Sequence, residues 1–294
     1  MALQGYQLGL PMWGMREWAG SLYSRDARPA DFLEQYSRVF NSVEGNTTFY
    51  SVPSRETVER WARVTPPSFR FCCKLPGSIT HESRLQDAVP ETVAFLTRLE
   101  PLGARLGPIQ VQLPPSFGPR DMEFLEGFLR RLPSGFRYAV ELRHPTLFTE
   151  RAMPRVDALL ARCNAGRVIL DSRALRSGPG EHPEIQAARH KKPDLPVRLP
   201  EVETTEVEPI LRFITHPDPE VTAPWIEEWV EPVARWIEAG RSPYWFAHTP
   251  SNVKAPELGR RIHEALARRL PTVGEMPPFL GEEGEDRHGQ MGLF

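Results

Sequence analysis

The sequence predicts an α/β chain of the TIM-barrel, (β/α)8 type, and three observations predict it. Eight short apolar runs alternate with segments whose apolar residues recur at spacings of three and four. Together they fill the roughly 250 residues that such a barrel occupies. No glycine-rich phosphate loop follows the first run, where Leu8-Gly9-Leu10-Pro11-Met12-Trp13-Gly14 departs from G-x-G-x-x-G, and this sets aside a doubly wound open sheet.

The strands are read in order as Tyr6–Leu10, Val39–Val43, Phe69–Leu75, Pro108–Leu113, Arg137–Leu142, Arg167–Leu170, Pro209–Ile214 and Tyr244–Ala247. Their brevity and near-continuous apolar character suit a parallel sheet buried on both faces. The first helix is placed at Pro29–Tyr36, with proline in its first turn. Amphipathic spacing places the others at Thr57–Val64, Glu91–Leu102, Asp121–Leu132, Val156–Cys163, Pro224–Ala239 and Ala255–Leu270. Residues 172–208, rich in proline, glycine and charge, read as a long loop after the sixth strand, at the rim where lids and substrate contacts sit. From Pro271 onward the composition turns to proline, glycine and acid. The expected division is a barrel domain over residues 1–272 and a flexible acidic tail over 273–294.

Composition narrows the function classes. At 294 residues, 40% hydrophobic and 25% charged, the chain can bury a sizeable core. Lysine and arginine number 36 against 38 acidic residues, a formal net charge of -2 that excludes a generally basic surface but not a local basic cleft. The three cysteines have no zinc-ligand spacing. Cys72 and Cys73 are adjacent on a strand, point to opposite faces and read as packing residues, which fits a reduced, cytoplasmic compartment. No leader with a basic region and apolar core opens the chain, and no apolar run approaches the ~20 residues of a bilayer span, so no membrane association is expected.

In a barrel the C-terminal strand ends converge on one mouth. The stretch Ser42-Val43-Glu44-Gly45-Asn46-Thr47-Thr48-Phe49-Tyr50 delivers a carboxylate, an amide, hydroxyls and two aromatics to that rim. Glu44, Lys74, His81, Glu141 and Asp171 are the candidate catalytic acid–base groups. Asn46, Tyr50, Gln112, Arg143, His144 and Arg212 are the candidate substrate contacts, the arginines as clamps for a phosphate or carboxylate. The alternative for these groups is mutual neutralisation, a structural polar layer closing the barrel. Carboxylates and histidines at such a mouth would suit magnesium, manganese or zinc. There is no H-E-x-x-H or comparable spacing, so no ligand is assigned and the cofactor is left unknown. Trp13, Trp18, Phe49 and Tyr50 are candidates for stacking, with core packing as the commoner role of such residues. His216 and His248 have no role assigned, and His182 and His190 read as surface residues of the long loop. No serine nucleophile elbow, Walker loop or catalytic-cysteine signature is found, so covalent nucleophile chemistry has no support.

The strand ends resemble the domain-of-unknown-function family 72, a widespread bacterial and archaeal group with a TIM-barrel fold. The resemblance runs through Val43-Glu44-Gly45-Asn46-Thr47-Thr48-Phe49-Tyr50, Phe71-Cys72-Cys73-Lys74-Leu75-Pro76 with Ile79-Thr80-His81, Gln112-Leu113-Pro114-Pro115-Ser116-Phe117 and Val140-Glu141-Leu142-Arg143-His144. Toward the C-terminus the chain departs from the family pattern. It has Arg212-Phe213-Ile214-Thr215-His216 where the family often has Arg-Leu-His-Gly, and Phe246-Ala247-His248 in place of Phe-Asn-Asn. The resemblance implies the fold; the family carries no established activity to transfer.

The chain closes on Gln290-Met291-Gly292-Leu293-Phe294. This resembles the pentapeptide by which bacterial replication and repair proteins dock on the sliding clamp, with Gln290 for register and Leu293 and Phe294 as apolar anchors on a tether. The alternative is an apolar terminus packed back on the barrel. Three functions stay open: a DNA-associated, metal-assisted phosphodiesterase recruited by the clamp peptide; a sugar or sugar-phosphate isomerase, epimerase or lyase; and a non-catalytic ligand-binding adaptor. The first is preferred here, because the tail and an anion-accepting mouth point the same way.

Overall fold

The computed structural model describes residues 3–199 and 207–282. Eight parallel strands form the sheet: β1 Gln7–Leu10, β2 Ser42–Gly45, β3 Arg70–Cys73, β4 Ile109–Gln112, β5 Tyr138–Glu141, β6 Ala165–Asp171, β7 Ile210–Ile214 and β8 Tyr244–His248. Their spatial order, 3-2-1-8-7-6-5-4, is that of a barrel, with β1 paired to β2 on one side and β8 on the other. The seam between β3 and β4 is closed by two isolated bridges, Phe71 with Leu106 and Lys74 with Gln110. Gly107 N donates to Phe71 O at 2.9 Å and Leu75 N to Gln110 O at 3.0 Å across that seam. The TIM-like barrel expected from the sequence is thus the observed fold.

The helices are α1 Phe32–Val39, α2 Thr47–Tyr50, α3 Arg55–Val64, α4 Val89–Leu99, α5 Met122–Leu129, α6 Met153–Arg162, α7 Arg173–Ser177, α8 Pro183–Lys191, α9 Pro219–Glu238 and α10 Ala255–Arg269. Alternation along each strand divides its side chains between barrel interior and helix layer. Val43, Phe71, Val111, Val140, Leu211 and Trp245 belong to the large core under the helices. Cys72, Ala139, Val168, Tyr244 and Phe246 form a separate cluster within the barrel. Cys72 and Cys73 therefore do point to opposite sides, each buried in a different cluster, and neither is disulfide-bonded.

Most element ends shift by one to three residues from the sequence expectations, and four larger differences bear on the site and the tail. Helix α1 starts after Asp31 and runs to Val39, so β2 begins at Ser42 and carries Glu44 within the strand. The cause is Tyr36, whose buried hydroxyl donates to Ser42 O at 2.9 Å and accepts from Leu10 N at 2.8 Å, locking α1 against both strands. Helix α9 starts at Pro219: Asp218 caps it by accepting from Glu220 N at 2.9 Å, and Pro224 lies inside it. The loop after β6 contains α7 and α8. The stretch 273–282, expected to belong to the solvated tail, packs on the barrel. Phe279 is 1% exposed, the Arg260 guanidinium lies 3.7 Å from its ring centroid, and Gly281 N donates to Ser21 O at 2.8 Å. A Cβ on Gly281 would come within 2.5 Å of Ser21 O, so this close approach requires glycine. The terminal peptide with Gln290, Leu293 and Phe294 lies outside the described residues. Among the described residues no helix is long and apolar enough to cross a membrane.

Candidate active site

The inward-facing residues at the C-terminal ends of six strands meet in one charge cluster. Its centre is Arg212 on β7, buried at the barrel axis. Its Nε and Nη2 both donate to Glu44 of β2, the latter at 3.1 Å, and its Nη1 donates to Glu141 Oε2 of β5 at 2.6 Å. One guanidinium fork thus joins two fully buried carboxylates from different strands. Glu141 Oε1 accepts from Arg143 Nε at 2.6 Å. Glu44 Oε2 accepts from Asn46 Nδ2 at 2.9 Å, and Asn46 also donates to Pro11 O at 3.0 Å, fixing the β2 end to the β1 end. Lys74, just past β3, donates to Gln112 Oε1 at 2.9 Å and stands 3.7 Å from Glu44 Oε1. His248 on β8 brings Nε2 to 3.0 Å from Glu44 Oε2, an approach without the alignment of a hydrogen bond.

These neighbours set the protonation states. Burial alone would raise both carboxyl groups, but Arg212 and Lys74 on Glu44, and Arg143 and Arg212 on Glu141, outweigh it and hold both well below the usual carboxylate range. Burial pushes Lys74 down, Arg212 adds to this, and Glu44 opposes it, leaving the amine at about 7. Burial likewise lowers His248 to about 4 despite the nearby Glu44 carboxylate. At neutral pH the mouth holds two ionised carboxylates, a neutral His248, two arginines, and a lysine poised between its charged and neutral forms.

A second amine joins the set. Lys192 follows α8 in the long loop after β6, and burial with the charges of Arg212 and Arg143 lowers it to about 8. Among the described residues its ammonium makes no hydrogen bond or ion pair. The loop is pinned in place: Arg176 Nη2 donates to Lys192 O at 2.6 Å and Ser172 Oγ to Pro193 O at 3.0 Å. Sequence reasoning missed Lys192 because its segment had no periodicity to place it. The only signal was a lysine in a long rim loop, shared with Lys191. His248, which has no role assigned from the sequence, pairs with Ile214 in the β7–β8 register and meets Glu44 inside the barrel.

Other sequence candidates fall elsewhere. Asp171 at the end of β6 faces outward: it accepts from Trp229 Nε1 of α9 at 2.7 Å and from Arg173 Nη2 at 2.8 Å. It belongs to the strand–helix packing, because the inward positions of β6 are the alternate ones. His144 caps the turn that follows it, with Nδ1 2.8 Å from Thr146 Oγ1. Tyr50 is 85% exposed and packs edge-on against Phe49. His81 lies half-buried on a π-type turn, Ser78–Glu82, with its ring edge-on to Phe49. Burial and then Arg143 lower its pKa, which places it within electrostatic reach of the cluster. Trp18 is a core residue, its indole donating to Asn252 O and Val253 O, and Trp13 packs on Trp61. His216 ties its own loop, with contacts to Pro179 O at 3.0 Å and Asp218 N at 3.0 Å.

Glu44 and Glu141 could hold a metal only by giving up guanidinium contacts. Among the described residues no group of three or more histidine, cysteine or acidic side chains is arranged to hold one. Against the two carboxylates stand Arg143, Arg212, Lys74 and Lys192. That surplus suits an anionic ligand.

Comparison with known proteins gives one family. The family model described as "Protein of unknown function DUF72" matches residues 7–279. Two relatives, each called UPF0759 protein YecE, from Escherichia coli strains K12 and O157:H7, are 37% identical over 271 residues, covering 92% of this chain and 96% of theirs. The solved structure of a DUF72 family protein (TM1631) from Thermotoga maritima is 23% identical, with a TM-score of 0.66 over 90% of this chain and 99% of that one. That of EF0366 from Enterococcus faecalis is 18% identical, with a TM-score of 0.67 over 89% and 95%. At those identities the two structures speak for the fold alone.

Proposed function

This chain belongs to the DUF72 family of proteins of unknown function, and we propose that its barrel mouth carries out proton-transfer chemistry on a small, anion-bearing carbonyl metabolite such as a sugar phosphate. The reaction class is isomerase, epimerase or lyase. The observation that carries this reading is Lys74: 3% exposed, hydrogen-bonded to Gln112, and held at about 7, so that a substantial fraction is a neutral amine at neutral pH.

In this reading neutral Lys74 takes the proton from the carbon next to the substrate carbonyl. Arg143 and Lys192 hold the anionic group and the developing enolate charge. Glu44 and Glu141 serve as fixed counter-charges that keep Arg212 and Arg143 in place, and Asn46 and Gln112 recognise hydroxyls. His81, at the rim, is the second candidate for returning the proton.

The metal-assisted phosphodiesterase acting on DNA is the weaker reading of the same mouth. Its support is the cationic surplus, which would also suit a phosphodiester. Against it, the carboxylates that would hold the metal are already bound by Arg212 and Arg143. Clamp docking through Gln290, Leu293 and Phe294 is a separate proposal that rests on their sequence alone. Binding by the full chain, lost on truncation after His288, would support it.

The test of the main reading is a panel of sugar phosphates incubated with the protein in D2O and followed by NMR. Deuterium should enter the position next to the carbonyl, at a rate that rises with pH through about 7 as Lys74 loses its proton. Lys74→Met should abolish the exchange while ligand-induced thermal stabilisation persists. Stabilisation without any exchange in the unaltered protein would point instead to a ligand-binding adaptor, and exchange that survives Lys74→Met would sink the role of Lys74.

A further inference from the structure

The strands begin, at the end of the barrel opposite the mouth, around a second opening. It is a cleft of about 740 Å³ lined by the starts of β1, β3, β5 and β8 and by the loops of the β3–β4 seam. We propose that this cleft is a separate binding site for a small organic phosphate.

Two guanidinium groups converge there. Arg70 opens β3 and Arg137 precedes β5; both line the cleft, and the charges of both act on the Tyr244 phenol, which lines it too, and on the buried Cys72 thiol. Arg70 spends only Nη1, on Pro67 O and Phe69 O. The Arg137 guanidinium makes no hydrogen bond or ion pair among the described residues; its backbone carbonyl accepts from Ile109 N at 2.7 Å. The carboxylate beside them, Glu208, is already committed, accepting from Arg241 Nε at 3.0 Å and from Ser242 N at 3.0 Å. The remaining acid, Glu100, is exposed at the rim.

The floor supplies further groups without partners. Tyr244 is 3% exposed, yet its hydroxyl makes no hydrogen bond among the described residues. Gln7 Oε1 is also buried and unpaired, but as an acceptor it does not serve the phosphate. Of the two, Gln7 Oε1 is shut away from water, whereas Tyr244 lines the cleft and its hydroxyl can donate into it. The space in front of them exists because Gly107 lacks a side chain. A Cβ there would lie 2.8 Å from Cys72 Sγ and 3.2 Å from the Tyr244 hydroxyl. Two guanidinium groups and a phenol line the one cleft, and each can donate to a phosphate oxygen. The cleft extends beyond an inorganic ion, toward Leu106 and Phe136, where an organic remainder would lie.

The site is independent of the proposed chemistry at the mouth, and the test separates the two. Glycerol 3-phosphate is titrated calorimetrically at low ionic strength into the full chain carrying Arg143→Gln, so that an altered mouth cannot account for the whole signal. One saturable site should remain. Adding Arg137→Gln should weaken it by about tenfold or more, and adding Tyr244→Phe by a smaller factor, with the melting temperature essentially unchanged for the exposed Arg137. No saturable binding up to about 10 mM, or binding that ignores both substitutions, overturns the site. Inorganic phosphate run alongside should bind more weakly; equal affinity would show a bare anion site and overturn the organic ligand.

Discussion

Two buried carboxylate–arginine knots lie at the C-terminal ends of the strands, and they differ in what surrounds them. In the mouth, Glu44 and Glu141 share Arg212, with Arg143, Lys74 and His248 crowded against them. At the end of β6, Asp171 is equally buried but faces the helices. Its oxygens accept from Arg173 N and Nε, from Arg173 Nη2 and from Trp229 Nε1. Arg173 then reaches out to Glu228 at the surface, 2.7 Å away. The outer knot is saturated with donors and opens to water through its arginine. The inner one keeps a surplus of positive charge and an amine near neutrality. Burial and pairing alone therefore do not mark a site; an uncommitted remainder does.

The strongest way to break this contrast is to remove the shared cation. Arg212→Met should leave two carboxylates buried without their common partner and cost about 3–5 kcal/mol in urea unfolding. A loss below about 1 kcal/mol would mean that Lys74 and Arg143 suffice and that the mouth is not one coupled unit.

Acid titration sharpens the contrast next. The folded pKa of His248, about 4, lies below its ordinary value of 6.5, so the unfolded chain takes up the proton first. Stability attributable to His248 is therefore complete above about pH 6.5 and falls away as pH drops toward 4. The loss is on the order of 3 kcal/mol at about 1.4 kcal/mol per unit. His248→Asn should flatten that part of the stability curve, and an unchanged curve would mean that the ring is not shielded as described.

Asp171→Asn should cost about 1–2 kcal/mol, because one carbonyl oxygen still serves Trp229 and Arg173 can turn to solvent. It should leave ligand-induced stabilisation at the mouth untouched; a lost ligand effect would place Asp171 in the site after all. Asn46→Ala should have the smallest effect, about 1 kcal/mol, by removing the link from Glu44 to Pro11 O. Its readout is a denaturant midpoint shift without a change in slope.

Much of this was legible beforehand, and the exceptions have identifiable causes. All eight strands could be found because each is a short apolar run between helical patterns. Glu44, Lys74, Gln112, Glu141 and Arg212 were each visible as polar residues closing such a run. Asp171 was visible in the same way but misassigned. All seven residues of Ala165–Asp171 are buried, so no alternation in the strand reveals which face is the interior. Tyr36 pulled α1 through Val39 by bonds to β1 and β2, a tertiary effect that the local pattern does not contain. Phe279, in a segment of proline, glycine and acid, reads as solvated from its neighbours in the chain, whereas Arg260 and Phe40 pack on its ring.

The sequence by itself determined the barrel and the kinds of groups at its rim, because hydrophobic periodicity and strand-end polarity are local properties of the chain. Only the tertiary structure decided which of those groups meet. Pleat phase, the β7–β8 register and the pinning of Lys192 by Arg176 are each set by contacts between residues distant in the chain. Whether Lys74 is an ion pair or a poised amine depends on how much burial and positive charge the other strands place around it.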